Sequence, residues 1–185
     1  PVDVIKAQVI REEFQRARAP MEIAGNGMNM TVPTLLEQGT EEQKDIFIRK
    51  TMSGEYIWGQ GYSEPGSGSD LASVRTKGEL SADGSKWIIN GQKIWTSRIE
   101  HSDLLLLLAR TTPRDQVAKK TDGLSVFLVN VNDALGNGLT IRPIETMMNH
   151  STTEVFFDDM RIPATALIGE EGQGLAHSQL RLEGA

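Results

Sequence analysis

The run Gly59-Gln60-Gly61-Tyr62-Ser63-Glu64-Pro65-Gly66-Ser67-Gly68-Ser69-Asp70 concentrates small and hydroxyl-bearing residues more than any other part of the chain. Small residues let backbone N–H groups approach an anion, and serine hydroxyls add donors, so the run suits contact with phosphate. No Gly-Lys-Ser/Thr ending follows and no strand-to-helix pattern surrounds it, which excludes a nucleoside-triphosphate loop. A solvated turn between strands fits the same composition equally well. A second segment, Trp95-Thr96-Ser97, offers a flat apolar ring and hydroxyls. By residue type alone Trp95 reads as core and Ser97 as a turn hydroxyl. Glu64 has the chemistry of a general base, yet a carboxylate fixed before Pro65 better suits shaping the loop. His101, His150 and His177 are widely spaced and form no ligand pattern, so no metal is expected. Lys119-Lys120 could meet phosphates or be simply solvated. Trp58 and Trp87 are assigned to packing.

The 185 residues contain no cysteine. Disulfides, thiolate metal sites and a cysteine nucleophile are therefore excluded, redox chemistry must come from a bound cofactor, and a reducing, cytoplasmic location is expected. A balance of 19 basic against 25 acidic residues, interspersed, gives −6 and argues against nucleic acid as a partner. The longest apolar run, Leu104 to Ala109, is far too short for a helix crossing a bilayer. The chain lacks an initiator Met and opens on a helix-like segment, and so reads as cut from something longer.

The elements that must position these residues change period along the chain. From Val4 to Arg18, Ile5, Val9, Ile10, Phe14 and Ala17 fall within about half a helix circumference, predicting an amphipathic helix. Pro33 opens a short helix that Gly39 closes, and Thr40-Glu41-Glu42-Gln43 has the spacing of a capping box for the next. After Gly54 the pattern alternates. Asp83-Gly84, Asn90-Gly91 and Asn137-Gly138 suit tight hairpins. Strands are predicted at Tyr56 to Gly61, Ser73 to Leu80, Lys86 to Ile89, Gln92 to Ser97, Leu104 to Arg110, Gly123 to Val129, Leu139 to Pro143 and Glu154 to Asp158. The leucines Leu104 to Leu108 read as a strand covered on both faces, and Thr111 to Asp122 as an exposed loop. Short strands with short turns predict an α+β chain whose middle is an antiparallel β-barrel-like domain flanked by helical segments. The expected divisions are residues 1–53, 54–168 and 169–185.

Ser63-Glu64-Pro65-Gly66-Ser67-Gly68-Ser69-Asp70 resembles the signature of the acyl-CoA dehydrogenase family. Ile89-Asn90-Gly91-Gln92-Lys93-Ile94-Trp95-Thr96-Ser97 looks like that family's second flavin segment, and Glu154 to Pro163 like the strand that ends its β-domain. Pro33-Thr34-Leu35-Leu36 with Gly39 to Lys44 resembles its helical approach to that domain. The resemblance implies FAD as cofactor, an acyl-CoA substrate, an electron-transfer acceptor such as an electron-transfer flavoprotein, and a homotetramer. It implies the end of a helical domain, a β-domain, and the start of a second helical domain. Ser63 and the backbone beside Tyr62 would meet the flavin's pyrimidine edge. Ser69 would lie by the FAD pyrophosphate or the thioester end of the ligand, and Gly68 would also belong to the cofactor site. Trp95 would pack on the isoalloxazine and Ser97 would sit near N5, where many members have Thr.

The chemistry so implied is removal of an α-proton by a carboxylate while the β-hydrogen leaves as hydride to flavin N5. No residue is assigned as the base. In some members it follows the Gly-x-Gly turn, and counting from Gly172-Gln173-Gly174 puts that position at Ala185, which cannot act. Glu183 lies two residues earlier, roughly 200° around a helix. An acyl-CoA oxidase of the same fold, or a non-catalytic binding module, would carry the same motifs.

Overall fold

In a computed structural model, residues 3–19, 25–147 and 151–174 are described. His150, His177, Glu183 and Ala185 lie outside them.

The helices form where their signals stand. Helix α1 spans Val4–Ala17, with the Asp3 carboxylate accepting from the Ile5 N–H and Arg18 capping in the left-handed region. Its apolar residues are exposed, so none of its amphipathic face is buried among the described residues. Helix α2, Val32–Gln38, carries Pro33 in its first turn and continues from a π-helical turn at Gly27–Thr31. Helix α3, Glu41–Met52, opens on the expected capping box: Thr40 accepts from the Gln43 N–H, and the Gln43 amide oxygen accepts from the Thr40 N–H. Gln43 then does more than cap. Its side-chain N–H groups reach the carbonyls of Thr165 and Leu167, at 2.9 Å each, and tie the helix to the far end of the sheet.

Eight strands follow: β1 (Trp58–Gly61), β2 (Lys77–Leu80), β3 (Lys86–Ser97), β4 (Leu104–Arg110), β5 (Leu124–Asn130), β6 (Leu139–Pro143), β7 (Thr152–Pro163) and β8 (Leu167–Ile168). They pair in the order β6-β7-β3-β2-β4-β5-β8, with β1 also on β4. The expected antiparallel barrel is corrected in two ways. The path is open, and the sheet is mixed: β1 and β2 both run parallel to β4, which they share end to end. Neither parallel neighbour joins β4 directly: the chain turns from β2 into the antiparallel β3 and reverses again through a 3₁₀ turn at Ile99–His101 before β4. A 3₁₀ turn at Leu71–Ser73 lies within the loop from β1 to β2, and the strand expected from Ser73 begins only at Lys77.

Asp83-Gly84 does turn the chain between β2 and β3, with Gly84 at positive φ. Asn90-Gly91 does not: β3 runs straight through it. Gly91 is needed there for another reason, since a Cβ would stand 2.7 Å from the Thr76 Cα. Asn137-Gly138 turns the chain out of a short helix, α4 (Val131–Ala134), rather than between two strands.

All of β4 is buried, as its leucine run predicts. Leu105, Leu107 and Ala109 enter a cluster with Trp87, Phe127, Val155 and Met160, which the curving sheet wraps. Leu104, Leu106 and Leu108 face the other way, into a cluster with Leu35, Trp58 and Tyr62 beneath the helices. Trp58 and Trp87 are core: Trp58 donates to the Thr51 hydroxyl at 2.9 Å, and Trp87 meets Phe127 edge-on.

Candidate functional site

The serine- and glycine-rich run leaves the sheet at the end of β1. Gly61 fits against Leu105, Leu107 and the Lys93 stem. The Tyr62 carbonyl accepts from the Lys93 ammonium at 3.0 Å, and the Ser63 carbonyl from the Ile94 N–H at 2.9 Å. These bonds bring the two segments singled out in the sequence side by side, although Ser63 and Ile94 are a long way apart in the chain. Glu64 and Ser67 then exchange backbone hydrogen bonds, closing a tight turn with Pro65 and Gly66 exposed at its tip. At Gly66 and Gly68 an added Cβ would meet nothing within 4 Å, and neither has positive φ. No contact among the described residues accounts for glycine at these positions, whereas close approach of a ligand would. Ser69 is exposed beside them.

Glu64 shapes this loop and does not face solvent as a free base. Its carboxylate accepts from the Arg75 N–H at 2.7 Å, the Thr76 N–H at 2.8 Å and the Lys93 ammonium at 2.9 Å. Burial alone would raise its pKa, but the Lys93 charge and the Arg75 and Thr76 hydrogen bonds hold it below the ordinary carboxylate value. Lys93 is completely buried, and that burial pulls its amine down to about 8 in spite of the carboxylate beside it.

The pair fixes the sign of a pH response. Unfolded, Lys93 keeps its proton up to its ordinary value of 10.5, whereas folded it releases it near 8. Between these limits the folded state binds fewer protons, so the Lys93 contribution to stability should rise with pH. Glu64 acts at the other end. Its contribution is present above 4.5 and should be lost as pH falls through its lower folded value. Urea denaturation across both windows should show these slopes in the wild type and flatten them in a Lys93→Met, Glu64→Gln double variant. Unchanged slopes would remove the pair from the account.

Trp95 owes its position to a bulge. Along the β3–β7 ladder, Lys93 pairs with Val155 and Thr96 with Thr153, so Ile94 and Trp95 stand against the single residue Glu154. Trp95 takes φ +60, in the left-handed region that a bulky residue rarely adopts, and the residue is 60% exposed. The expectation that it is core fails for this reason. The extra residue also reverses the alternation, so Lys93 and Thr96 point inward while Trp95 and Ser97 point outward together. Ser97 lines a cavity of ≈ 260 Å³ with Gly27, Met28, Trp58 and Arg98.

Two residues that sequence reasoning left unassigned or undecided complete the frame. The Arg110 guanidinium, at the end of β4, donates to the carbonyls of Ala72, Val74, Lys120 and Asp122. Lys120 pairs with Asp70, fastening the loop after β4 to the signature run. Beside them lies a cavity of ≈ 490 Å³ whose lining includes Arg75, Lys77, Arg114 and Lys120. The signal for Arg110 was a cation ending an otherwise apolar strand. Among the described residues no cluster of His, Asp or Glu could hold a metal, and no helix is long and apolar enough to cross a membrane.

This arrangement coincides with a known family. Residues 59–160 match the acyl-CoA dehydrogenase middle domain, and the chain belongs to the acyl-CoA dehydrogenase family. It is 42% identical over 164 residues to the acyl-CoA dehydrogenase IpdE1 of Mycobacterium tuberculosis, covering 88% of this chain and 40% of that protein. Among solved structures it resembles the ChsE4-ChsE5 complex of Mycobacterium tuberculosis, with a TM-score of 0.78 and 34% identity over 95% of this chain and 43% of that one. It also resembles the Tcur3481-Tcur3483 steroid ACAD, with a TM-score of 0.79 and 34% identity over 92% of this chain and 42% of that one. The chain thus spans about two fifths of the curated relatives it matches.

Proposed function

We propose that this chain forms the flavin-facing part of an FAD-dependent acyl-CoA dehydrogenase, which introduces an α,β double bond into an acyl-CoA thioester. The observation that carries this reading is Trp95: a large aromatic ring held outward by a strained bulge, beside a loop whose glycines have empty space before them. Strain of this kind persists where function requires it, and an isoalloxazine would cover the ring.

When bound, FAD would supply the acceptor for the β-hydrogen. The chain's own residues orient and exclude water. Trp95 offers its face to the flavin, Ser63 and the Tyr62 backbone meet the pyrimidine edge, and Gly68 and Ser69 meet the pyrophosphate, with Ser69 also placed for the thioester. Ser97, outward on the same side of β3 as Trp95, donates a hydrogen bond where negative charge develops. The cations Arg75, Lys77, Arg114 and Lys120 receive the phosphates of coenzyme A. A carboxylate must remove the α-proton, and no described residue is assigned to it. The likeness to a steroid ACAD supports a bulky acyl group. Similar structures that pair differently named chains support another chain of this family as the oligomeric partner, in place of identical copies alone. Reducing equivalents pass on to an electron-transfer flavoprotein.

The test is single-turnover reduction in the whole protein. Acyl-CoA added without oxygen should bleach the bound flavin. Ser97→Ala should retain FAD but bleach on the order of 100-fold more slowly. Peroxide formed when oxygen is admitted would assign an oxidase instead, and a protein that takes up no FAD would end the reading.

A further inference from the structure

Lys93 is buried, charged and adjacent to the candidate flavin edge, yet the chemistry proposed above gives it no part. We propose that Lys93 is a positioning residue, which orients the Tyr62–Ser63 peptide so that its N–H is presented to the flavin. The inference rests on the FAD reading and deepens it. Its basis is the geometry of one peptide unit.

No peptide bond among the described residues is cis, so the carbonyl of Tyr62 and the N–H of Ser63 point in opposite directions. The Lys93 ammonium takes that carbonyl at 3.0 Å from inside the fold. The Ser63 N–H is thereby turned outward, and no hydrogen bond among the described residues takes it. The next peptide is also committed. The Ser63 carbonyl accepts from Ile94 at 2.9 Å, and the Glu64 N–H donates to the Ser67 carbonyl at 2.8 Å. With its neighbours so engaged, the outward Ser63 N–H is the backbone donor this edge has to offer.

Glu64 keeps the ammonium in place. Its carboxylate holds Lys93 at 2.9 Å while its two oxygens also take the N–H groups of Arg75 and Thr76. The pair thus joins the end of β1, the middle of β3 and the approach to β2. Lys93 also lies two residues before Trp95, at the last regular pairing before the bulge. One buried ammonium therefore sets the direction of the peptide edge and anchors the strand that carries the ring. Of the charges near it, Glu64 acts directly, and Arg110 lies within the field of Glu64.

A role confined to stability would alter the apo fold and leave bound flavin unchanged. The experiment compares wild type, the Lys93→Met, Glu64→Gln double variant, and Leu139→Ala, which damages the core cluster away from the loop. FAD affinity is measured by fluorescence titration, apo stability by urea, and the C2 and C4 carbonyl stretches of bound flavin by difference infrared spectroscopy. Removing the pair together avoids an unpaired buried charge. The double variant should bind FAD roughly tenfold or more weakly, with a flavin carbonyl stretch shifted upward by loss of a donor. Leu139→Ala should lose apo stability but keep wild-type affinity and stretches. If the double variant does not fold, Glu64→Gln is measured in the same way, and an upward shift there is the expected result. Wild-type stretches in whichever variant folds overturn the proposal. A wild-type protein that takes up no FAD overturns the functional reading and this inference with it.

Discussion

Trp95→Gly should separate folding from cofactor binding in opposite directions. Trp95 sits at φ +60, a conformation that costs a non-glycine residue about 1–3 kcal/mol, and most of its surface is exposed in the absence of ligand. Glycine relieves the strain but loses about 0.5–1 kcal/mol to backbone entropy. Little packing is lost with the ring. The unfolding free energy of the flavin-free protein, read by urea, should therefore hold or rise, by up to about 2 kcal/mol. Trp95→Ala keeps the strained backbone and should be less stable than Trp95→Gly, the reverse of the order at an ordinary strand position. Both variants should lose about 1–3 kcal/mol of FAD affinity through lost stacking area, roughly 5- to 150-fold in Kd. Equilibrium unfolding and flavin titration read the two effects separately. If Trp95→Gly bound FAD as tightly as the wild type, the ring would not be the flavin's platform.

Glu64→Ala should be the most damaging single change in the loop. It leaves the Lys93 ammonium buried without a counter-charge and strips the Arg75 and Thr76 N–H groups of their acceptor. Removing one partner of a buried ion pair costs about 3–5 kcal/mol, a large share of the 5–15 kcal/mol that holds a typical domain together. Glu64→Gln retains an acceptor and should cost about half as much. Combining it with Lys93→Met should cost less than the two single changes added, because the residues act as a unit. The measurement is urea denaturation of the wild type and the four variants. Strict additivity would show that the pair is not coupled, and a cost for Glu64→Ala within about 0.5 kcal/mol of zero would place the carboxylate in solvent.

Local rules carried much of the chain. The capping box at Thr40 and Gln43, Pro33 in a first helical turn, the Asp83-Gly84 hairpin and the doubly buried leucine strand each depend on residues close in sequence, and each stands in the structure. The signature run and the Trp95 segment were also visible, since their residue types are unusual wherever they fold.

What the sequence by itself determined was therefore most of the elements, the placement of the loop at the end of β1 and the pairing of hydroxyls with one aromatic ring, whereas β3 was divided in two and α4 and β8 were not foreseen. Tertiary structure decided how they face. Asn90-Gly91 has the chemistry of a hairpin, yet β3 continues because β7 pairs along both halves of it and Asn90 bonds to Asp159 in the bulge opposite. β1 and β2 lie parallel to β4 because β3 intervenes along the chain between β2 and β4 and reverses it, a pairing of segments distant in sequence. Trp95 reads as core by type, and simple alternation would bury it and Ser97 on the Lys93 side. One extra residue on β3 turns both outward, and that residue exists as a bulge only because β7 has none to match it. Nothing local in the sequence marks Lys93 as buried; Glu64 and the Tyr62 carbonyl close over it only in the fold. A strand's period tells which residues share a face, but register with its neighbours determines which face is inside, and register is a property of two chain segments at once.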